Sequence, residues 1–137
     1  MITRLTIILT ILFAPLATSL AQESWVLYLD SKAERHMLKK FYYDSNSIKE
    51  VEPNVYEVQH KNSSGDDNLI YNISQYWVDC TRRKMAVGQW TNYMRAEVFQ
   101  SGNLFKKGFY EPRGPIEGVT TEPYDPEWQL IRIICNR

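Results

Sequence analysis

A cysteine followed almost directly by cations is the first candidate for chemistry in this chain of 137 residues. Cys80 ends the aromatic run YWVDC, and after Thr81 come Arg82, Arg83 and Lys84. Neighbouring cations lower the pKa of a thiol, and the thiolate is the nucleophilic form. The three cations are also a candidate contact for an anionic partner, although a charged hairpin turn is the simpler interpretation.

The cysteine count favours a structural interpretation of Cys80 over a catalytic one. The chain has two cysteines, Cys80 and Cys135, and no CxxC spacing that would indicate redox chemistry. In an exported protein such a pair is expected to close into a disulfide. The two positions are 55 residues apart, and a loop of that length would contribute roughly 4 kcal/mol in the chain-entropy model.

The two histidines, His36 and His60, are the next candidates. Neither lies in an HxH or HExxH motif, so the sequence predicts no metal site. A serine hydrolase needs a serine, a histidine and a carboxylate that converge in space, and the sequence has no GxSxG motif. We interpret both histidines as ordinary surface or edge residues and expect no enzyme and no cofactor. The alternative in another class is a small periplasmic hydrolase that uses His36 or His60.

The start of the chain predicts a signal peptide over residues 1–21. Arg4 precedes an apolar run over 5–13, Pro15 interrupts the apolar stretch, and small residues lead to Ala21. These are the parts of a secretory signal that is cut between Ala21 and Gln22. Gln22 stands where a lipoprotein would need a cysteine. We therefore expect an exported protein, periplasmic or at the cell surface, with an uncleaved membrane anchor as the alternative.

Residues 22–137 are expected to form a single domain, since their length supports one modest core. The whole chain has 16 cations and 16 anions, and Arg4 leaves with the signal, so the mature charge is about −1. Such a balance gives no reason to expect nucleic acid as a partner, and no later stretch is apolar enough to span a bilayer. The many aromatic residues, including 4 Trp and 9 Tyr, favour strands and protein contacts. We expect a protein or envelope partner, or a homodimer.

Alternating apolar and aromatic residues predict strands along most of the mature chain. In the run from Leu69 to Cys80 the two faces differ. The face of Tyr71, Ile73 and Trp77 is the more apolar, whereas the face of Cys80 must be at least partly covered if a bridge forms there. Gly88 is a candidate bulge. The predicted strands cover 24–29, 39–45, 54–62, 69–80, 84–94 and 104–111, with a short helix-favouring stretch at 33–40, a turn at 62–68 and a loop at 112–123.

The carboxyl-terminal YDPEWQLIRIICNR is the best helix candidate. Asp125 suits the N-cap, Pro126 the first helical position, and Glu127 the positive end of the helix dipole. On a helical wheel Arg132 lies opposite the apolar half. That half carries Trp128, Leu130, Ile131, Ile134 and Cys135. The alternative is a seventh strand over LIRII.

The order of these motifs is similar to that of the bacterial surface-adhesin protein E family. The shared pattern runs through WVLY, FYYDSNSI, NVYEVQ, a DC followed by basic residues, and a terminal IIC. The resemblance implies an α+β fold, a curved antiparallel sheet of about six strands with a C-terminal helix packed on it and tethered by the Cys80 to Cys135 bridge.

The same resemblance implies a non-enzymatic, adhesin-like protein that works by protein or envelope contact. The family's named member is a lipid-anchored adhesin that binds host matrix proteins, and this chain differs from it in carrying Gln22 after the signal in place of the anchoring cysteine. A structural subunit of a periplasmic envelope assembly is the alternative.

Overall fold

One antiparallel sheet and one α-helix dominate the part of the chain that the structure describes. The computed structural model describes residues 23–31, 39–64, 69–115 and 125–137. Within these ranges seven strands join in a single sheet. The strands are β1 (Trp25–Ser31), β2 (Lys39–Asp44), β3 (Lys49–Glu52), β4 (Val55–Ser64), β5 (Ile70–Asp79), β6 (Lys84–Met94) and β7 (Glu97–Asn103). A 3-10 helix spans Phe105–Lys107, and the helix α1 spans Pro126–Cys135.

The strands follow the order β1-β2-β4-β5-β6-β7, and β3 pairs with β4 beside β2. Strand β2 pairs with residues 60–64 and β3 with residues 55–57, so the two short strands lie end to end along one edge of β4. Between them the chain turns at Asp44, whose Oδ1 accepts a hydrogen bond from the amide of Asn46 at 3.0 Å. Aspartate is favoured in turns because its side chain can make such a bond.

A bulge interrupts the pairing of β5 with β6. Ser74 pairs with Trp90 and Tyr76 pairs with Val87, so Gln75 faces two residues of β6. Gly88 lies in this bulge, where an added Cβ would come within 2.9 Å of the Gln75 Oε1 atom. The bulge that the sequence predicts at Gly88 is confirmed.

The core lies between one face of the sheet and α1. The helix contributes Leu130, Ile131 and Ile134, which share one side because they are spaced by one and four residues. Arg132 is exposed on the opposite side, as the helical wheel predicts. The buried core residues are Val58, Tyr76, Val78, Met85, Leu130, Ile131 and Ile134.

The disulfide between Cys80 and Cys135 joins the end of β5 to the last residue of α1, with 5.4 Å between the two Cα atoms. The structure therefore confirms the antiparallel sheet, the carboxyl-terminal helix and its tether, and it excludes the alternative strand over LIRII. Asp125 occupies the N-cap position, but its side chain makes no cap hydrogen bond. Its Oδ2 atom instead accepts a bond from the amide of Arg113 at 2.7 Å.

The predicted strand over 104–111 is wrong. On the side of β6 away from β5, the pairing strand is β7. Residues 104–111 instead contain the 3-10 helix and a single bridge from Tyr110 to Met85. The reversal from β6 to β7 occurs at Arg95 and Ala96, which have φ values of 52° and 64°. Tight hairpins need such positive φ values, which Asn and Gly adopt most readily. Neither Asn nor Gly occupies these two positions, so the sequence carries no signal for this turn.

Strand β3 was also not predicted from the sequence. All four of its residues are exposed, so it has no buried face that would create an alternating pattern. It forms because the turn at Pro53 and Asn54, with a φ of 61° at Asn54, reverses the chain so that β4 pairs antiparallel with β3.

Several expectations fall outside the described residues. These are the signal peptide 1–21 with its cleavage site between Ala21 and Gln22, His36, and most of the helix-favouring stretch at 33–40, of the predicted turn at 62–68 and of the loop at 112–123. Among the residues that are described, no helix is both long and apolar enough to cross a membrane.

Candidate binding surfaces

The three cations after Cys80 do not form one patch. Arg82 is engaged within its own turn, where its Nε atom donates to Asp79 Oδ2 at 2.7 Å. Its guanidinium also lies 5.2 Å from the centre of the Phe109 ring. The hydrogen bond from Arg82 lowers the pKa of Asp79, because it favours the charged carboxylate. Lys84 begins β6 and pairs in register with Asp79.

Arg83 instead lines a cavity of about 350 Å³ beside α1. Arg132 lines the same cavity, and its guanidinium lies over the Trp128 ring at 4.8 Å. Glu111 is also part of the lining, so the cavity has mixed charge. An anionic partner at this place stays a prediction, and it would contact Arg83 together with Arg132 rather than the sequence triplet.

His60 is fully buried in β4, so its interpretation as a surface or edge residue is wrong. Strands β2 and β5 flank it, and its ring stacks on Tyr76 with 4.4 Å between the ring centres. The Tyr28 hydroxyl lies 2.7 Å from the Nε2 atom. The sequence could not show this burial, because a histidine in a polar stretch near a strand end carries no signal of tertiary cover.

Burial keeps His60 neutral, since it lowers the pKa of the imidazole to about 3. The Nδ1 atom is buried and has no hydrogen-bond partner among the described residues. Burial also raises the pKa of Glu127, whose Oε1 accepts a bond from the Tyr76 hydroxyl at 3.4 Å. His60 therefore belongs to a buried polar cluster beneath the start of α1, where a substrate in solvent does not reach it. Among the described residues, no three His, Cys, Asp or Glu side chains gather as a metal site.

A set of aromatic rings surrounds one lysine on the outer face, which is the face of the sheet opposite α1. The Nζ atom of Lys61 lies 4.9 Å from the centre of the Tyr71 ring, 5.6 Å from Tyr42 and 5.8 Å from Trp25. Tyr71 in turn stacks on Tyr93, with ring centres 4.8 Å apart and planes inclined by 12°. We call these five residues the aromatic platform.

The pairing register fixes the side of the sheet on which the platform lies. Successive side chains in a strand point to opposite faces, and His60 stacks on Tyr76 of the core. Lys61 must therefore point to the outer face. Ser63 pairs with Tyr71, which pairs with Tyr93, so these rings share that face. The sequence placed Tyr71 on an apolar face but gave no means of finding Trp25 or Lys61, which join it only through pairing.

Within the described residues, one end of the outer face is covered and the other is partly exposed. Phe105 of the 3-10 helix packs edge-on against Trp77, with 4.6 Å between ring centres, and Ala86 beneath is buried. At the other end the platform residues remain partly exposed, and Leu27 beside them is 46% exposed. Among the described elements outside the sheet, α1 packs on the other face and the 3-10 helix stops at Trp77.

A polar cavity of about 380 Å³ opens on the same face as α1, next to the apolar core. Three asparagines form a row across its floor, because Asn62 pairs with Asn72 and Asn72 pairs with Asn92. Asn72 Nδ2 donates to Asn92 Oδ1 at 2.6 Å, and the Ser74 hydroxyl donates to Asn72 Oδ1. The cavity is lined by Asn62, Asn72, Ser74, Tyr76, Val87, Trp90, Asn92 and Leu104. From the sequence alone, Asn72 and Ser74 are recognisable only as polar residues between the apolar residues of one strand face.

The edge strand β7 exposes two large apolar side chains, Val98 at 60% and Phe99 at 55%. An edge strand with free backbone groups can pair with another chain. The β7 edge is therefore an alternative candidate to the platform as the contact surface.

No family model, no curated protein and no solved structure was found to match this chain. Its function is therefore inferred from the sequence and from the geometry of these surfaces.

Proposed function

We propose that this chain is an exported, non-enzymatic binding domain that contacts a protein partner through the aromatic platform. The observation that carries the proposal is the position of Lys61 among three aromatic rings on a sheet face that the described helices leave open. In an antiparallel sheet one face can pack on the core while the other faces solvent. The second face is then accessible to a partner.

The composition of the platform suits a protein interface. Tyrosine and tryptophan are enriched at such interfaces, where they form many of the energetically dominant contacts. Each combines a large apolar ring with a polar group that tolerates exposure to water before the partner arrives. A tyrosine hydroxyl or an indole N–H is then available for a directed bond.

The platform is also ordered before any partner binds. The rings of Trp25, Tyr42 and Tyr71 share the Lys61 ammonium, and Tyr71 is held by stacking on Tyr93. Cation–π contacts of this kind are worth about 0.5–1 kcal/mol at exposed sites. Side chains already held in place lose less conformational entropy on association, which favours a stable complex.

The resemblance to the surface-adhesin protein E family supports the same class of function, and the signal-like start supports export. The disulfide fits an oxidising compartment. Within the proposal, Gln22 in place of a lipid-bearing cysteine favours a periplasmic or released protein over one that is anchored at the surface.

Binding of the mature protein to immobilised host matrix proteins and to immobilised envelope fractions tests the platform. We expect the double variant Tyr42→Ser/Tyr71→Ser to bind at least about tenfold more weakly, since hot-spot side chains contribute more than about 1 kcal/mol each. The matched control is Val98→Ser/Phe99→Ser at the exposed β7 edge, which should bind like the unmodified protein. The reverse pattern would assign the contact to β7, and equal binding by all three proteins would remove the platform from the proposal.

Cell fractionation with and without surface protease separates the two locations. A protein displayed outside the cell is lost when intact cells are treated with protease. A structural subunit of a periplasmic assembly is protected until the outer membrane is opened. Retention in the cytoplasm under both treatments would contradict the proposed export.

A further inference from the structure

We propose that the polar cavity lined by the asparagine row and Trp90 binds an uncharged, polyhydroxylated ligand such as a sugar ring. The cavity lies on the face of the sheet opposite the aromatic platform. The inference therefore does not depend on the proposed protein contact.

The asparagine row is unusual for its place in the fold. Asparagine is disfavoured in strands, yet Asn62, Asn72 and Asn92 lie side by side on three adjacent strands next to the apolar core. Partly buried amides cost free energy unless their polar atoms are bonded. Apolar side chains at these positions would extend the core, so the amides are better explained by a ligand than by stability.

The protein uses only part of the hydrogen-bonding capacity of this row. Each amide offers two N–H donors and an oxygen with two acceptor sites. The bonds that the row makes use one donor of Asn72, one acceptor site of Asn92 and, through the Ser74 hydroxyl, one acceptor site of Asn72. In the described part of the chain, the side chain of Asn62 makes no hydrogen bond, so the cavity floor keeps both donors and acceptors for a ligand. Vicinal hydroxyl groups, each of which both donates and accepts, match such a floor.

Trp90 supplies an aromatic wall. Its Nε1 atom is buried and has no partner among the described residues. The ring lies against Gly102 of β7, where an added Cβ would come within 2.7 Å of the Cζ2 atom. The glycine thus leaves room for the indole in this position. The C–H faces of a sugar ring pack on aromatic rings while its hydroxyls bond nearby amides, and a mainly apolar wall with a few placed polar groups is typical of ligand sites.

Charge and size narrow the class of ligand. Every side chain that lines the cavity is uncharged, so nothing there would compensate a phosphate or a carboxylate. Lys61, the residue next to Asn62, points to the other face. A volume of about 380 Å³ lies at the lower end of the range of about 300–1,000 Å³ for ligand pockets, which suits a single sugar ring or a short glycan.

Proton–nitrogen NMR spectra of the mature protein test the inference. Glucose, galactose, N-acetylglucosamine and lactose are titrated separately, and the indole N–H signal of Trp90 is assigned from the variant Trp90→Phe. We expect at least one sugar to shift this signal in a saturable manner. Asn72→Leu should weaken that binding by at least about tenfold, since the loss of a bonded polar partner costs about 1–3 kcal/mol. Gln89→Leu, at an exposed position of β6 outside the cavity lining, should bind normally.

Three outcomes would overturn the inference. They are no shift of the Trp90 indole signal with any of the four sugars, an unchanged affinity in Asn72→Leu, and a stronger response to glutamate or inorganic phosphate than to the sugars. If Asn72→Leu fails to fold, Asn62→Leu replaces it, because the Asn62 side chain makes no bond within the described residues. The platform variant Tyr42→Ser/Tyr71→Ser should retain sugar binding, which separates this result from the test of the protein contact.

Discussion

The two faces of the sheet carry similar numbers of aromatic residues but use them differently. On the helix face, Tyr76 and the buried His60 stack within a core closed by α1 and the disulfide. On the outer face, Tyr71 lies beside Lys61 and stacks on Tyr93, and both rings remain partly exposed. The difference teaches that apolar content alone does not decide which face of a sheet becomes the core.

What decides it is the tether. Cys80 lies at the end of β5 and is bonded to the last residue of α1, so the helix must pack on the face next to Cys80. Leu130, Ile131 and Ile134 then exclude water from that face alone. Among the described residues outside the sheet, Phe105 gives the face of Tyr71, Ile73 and Trp77, the more apolar one in the sequence, a partial cover.

Breaking the tether should have the largest effect on the difference between the faces. We expect Cys80→Ser/Cys135→Ser to lower the free energy of unfolding by roughly 4 kcal/mol, because the unfolded chain regains the freedom of a long loop. Urea denaturation of this variant and of the oxidised protein measures the change. A loss below about 1 kcal/mol would mean that α1 holds its place without the bond.

A matched pair of isoleucines compares the two faces directly. Ile134→Ala on α1 removes a buried side chain and should cost about 2–5 kcal/mol, since it leaves a cavity in the core. Ile73→Ala makes the same change on the outer face, where the side chain is only partly buried, and should cost clearly less. Equal losses in urea denaturation would contradict the assignment of the core to one face.

The burial of His60 predicts a pH dependence of stability. Its pKa of about 3 in the folded state lies below the value of about 6.5 for an exposed histidine, so between about pH 6.5 and about pH 3 only the unfolded chain takes up this proton. The free energy of unfolding should therefore fall on acidification by up to about 1.4 kcal/mol for each pH unit. Glu127 acts in the opposite sense, since burial raises the pKa of its carboxyl group.

The variant His60→Phe isolates the contribution of the imidazole. Urea denaturation at about pH 7 and about pH 5 gives the slope for each protein, and the variant should lose most of the dependence that the histidine causes. The comparison uses slopes, so a different absolute stability of the variant does not affect it. Parallel slopes would show that His60 is not kept neutral by burial.

The smallest effect on stability is expected for Lys61→Met. The substitution removes the cation from the three rings but keeps an apolar chain of similar length, so unfolding should change by less than about 1 kcal/mol. Thermal denaturation measures the change in the free energy of unfolding. The loss in the free energy of partner binding should be larger than this change. A loss of stability as large as that of Ile134→Ala would make the platform a second core.

The sequence predicted the parts of this fold that local patterns encode. Alternation of apolar and polar residues predicted the central strands. The N-cap pattern and the helical wheel predicted α1, and the cysteine count predicted the disulfide. It missed β7 because the turn at Arg95 and Ala96 uses positive φ values without Gly or Asn, and it missed β3 because an exposed edge strand has no buried face.

The candidate surfaces were harder to predict because they depend on pairing. The asparagine row exists only when β4, β5 and β6 are aligned in register. Lys61 of β4 comes near Trp25 of β1 only because β2 pairs with both strands. No periodicity within one strand reveals such neighbours. Arg82 and Arg83 show that residues adjacent in sequence need not act together. Arg82 bonds Asp79, whereas Arg83 lines the cavity beside α1.

Site-specific photo-cross-linking in cells tests most directly whether the outer face is the contact face. A photoreactive phenylalanine analogue replaces Leu27, beside the platform, or Phe99, on the β7 edge; both positions are exposed. We predict one discrete protein adduct from position 27 that disappears when Tyr42→Ser/Tyr71→Ser is added, and none from position 99. An adduct from position 99 alone, or one from position 27 that persists without the two tyrosines, would contradict the assignment of binding to the aromatic platform.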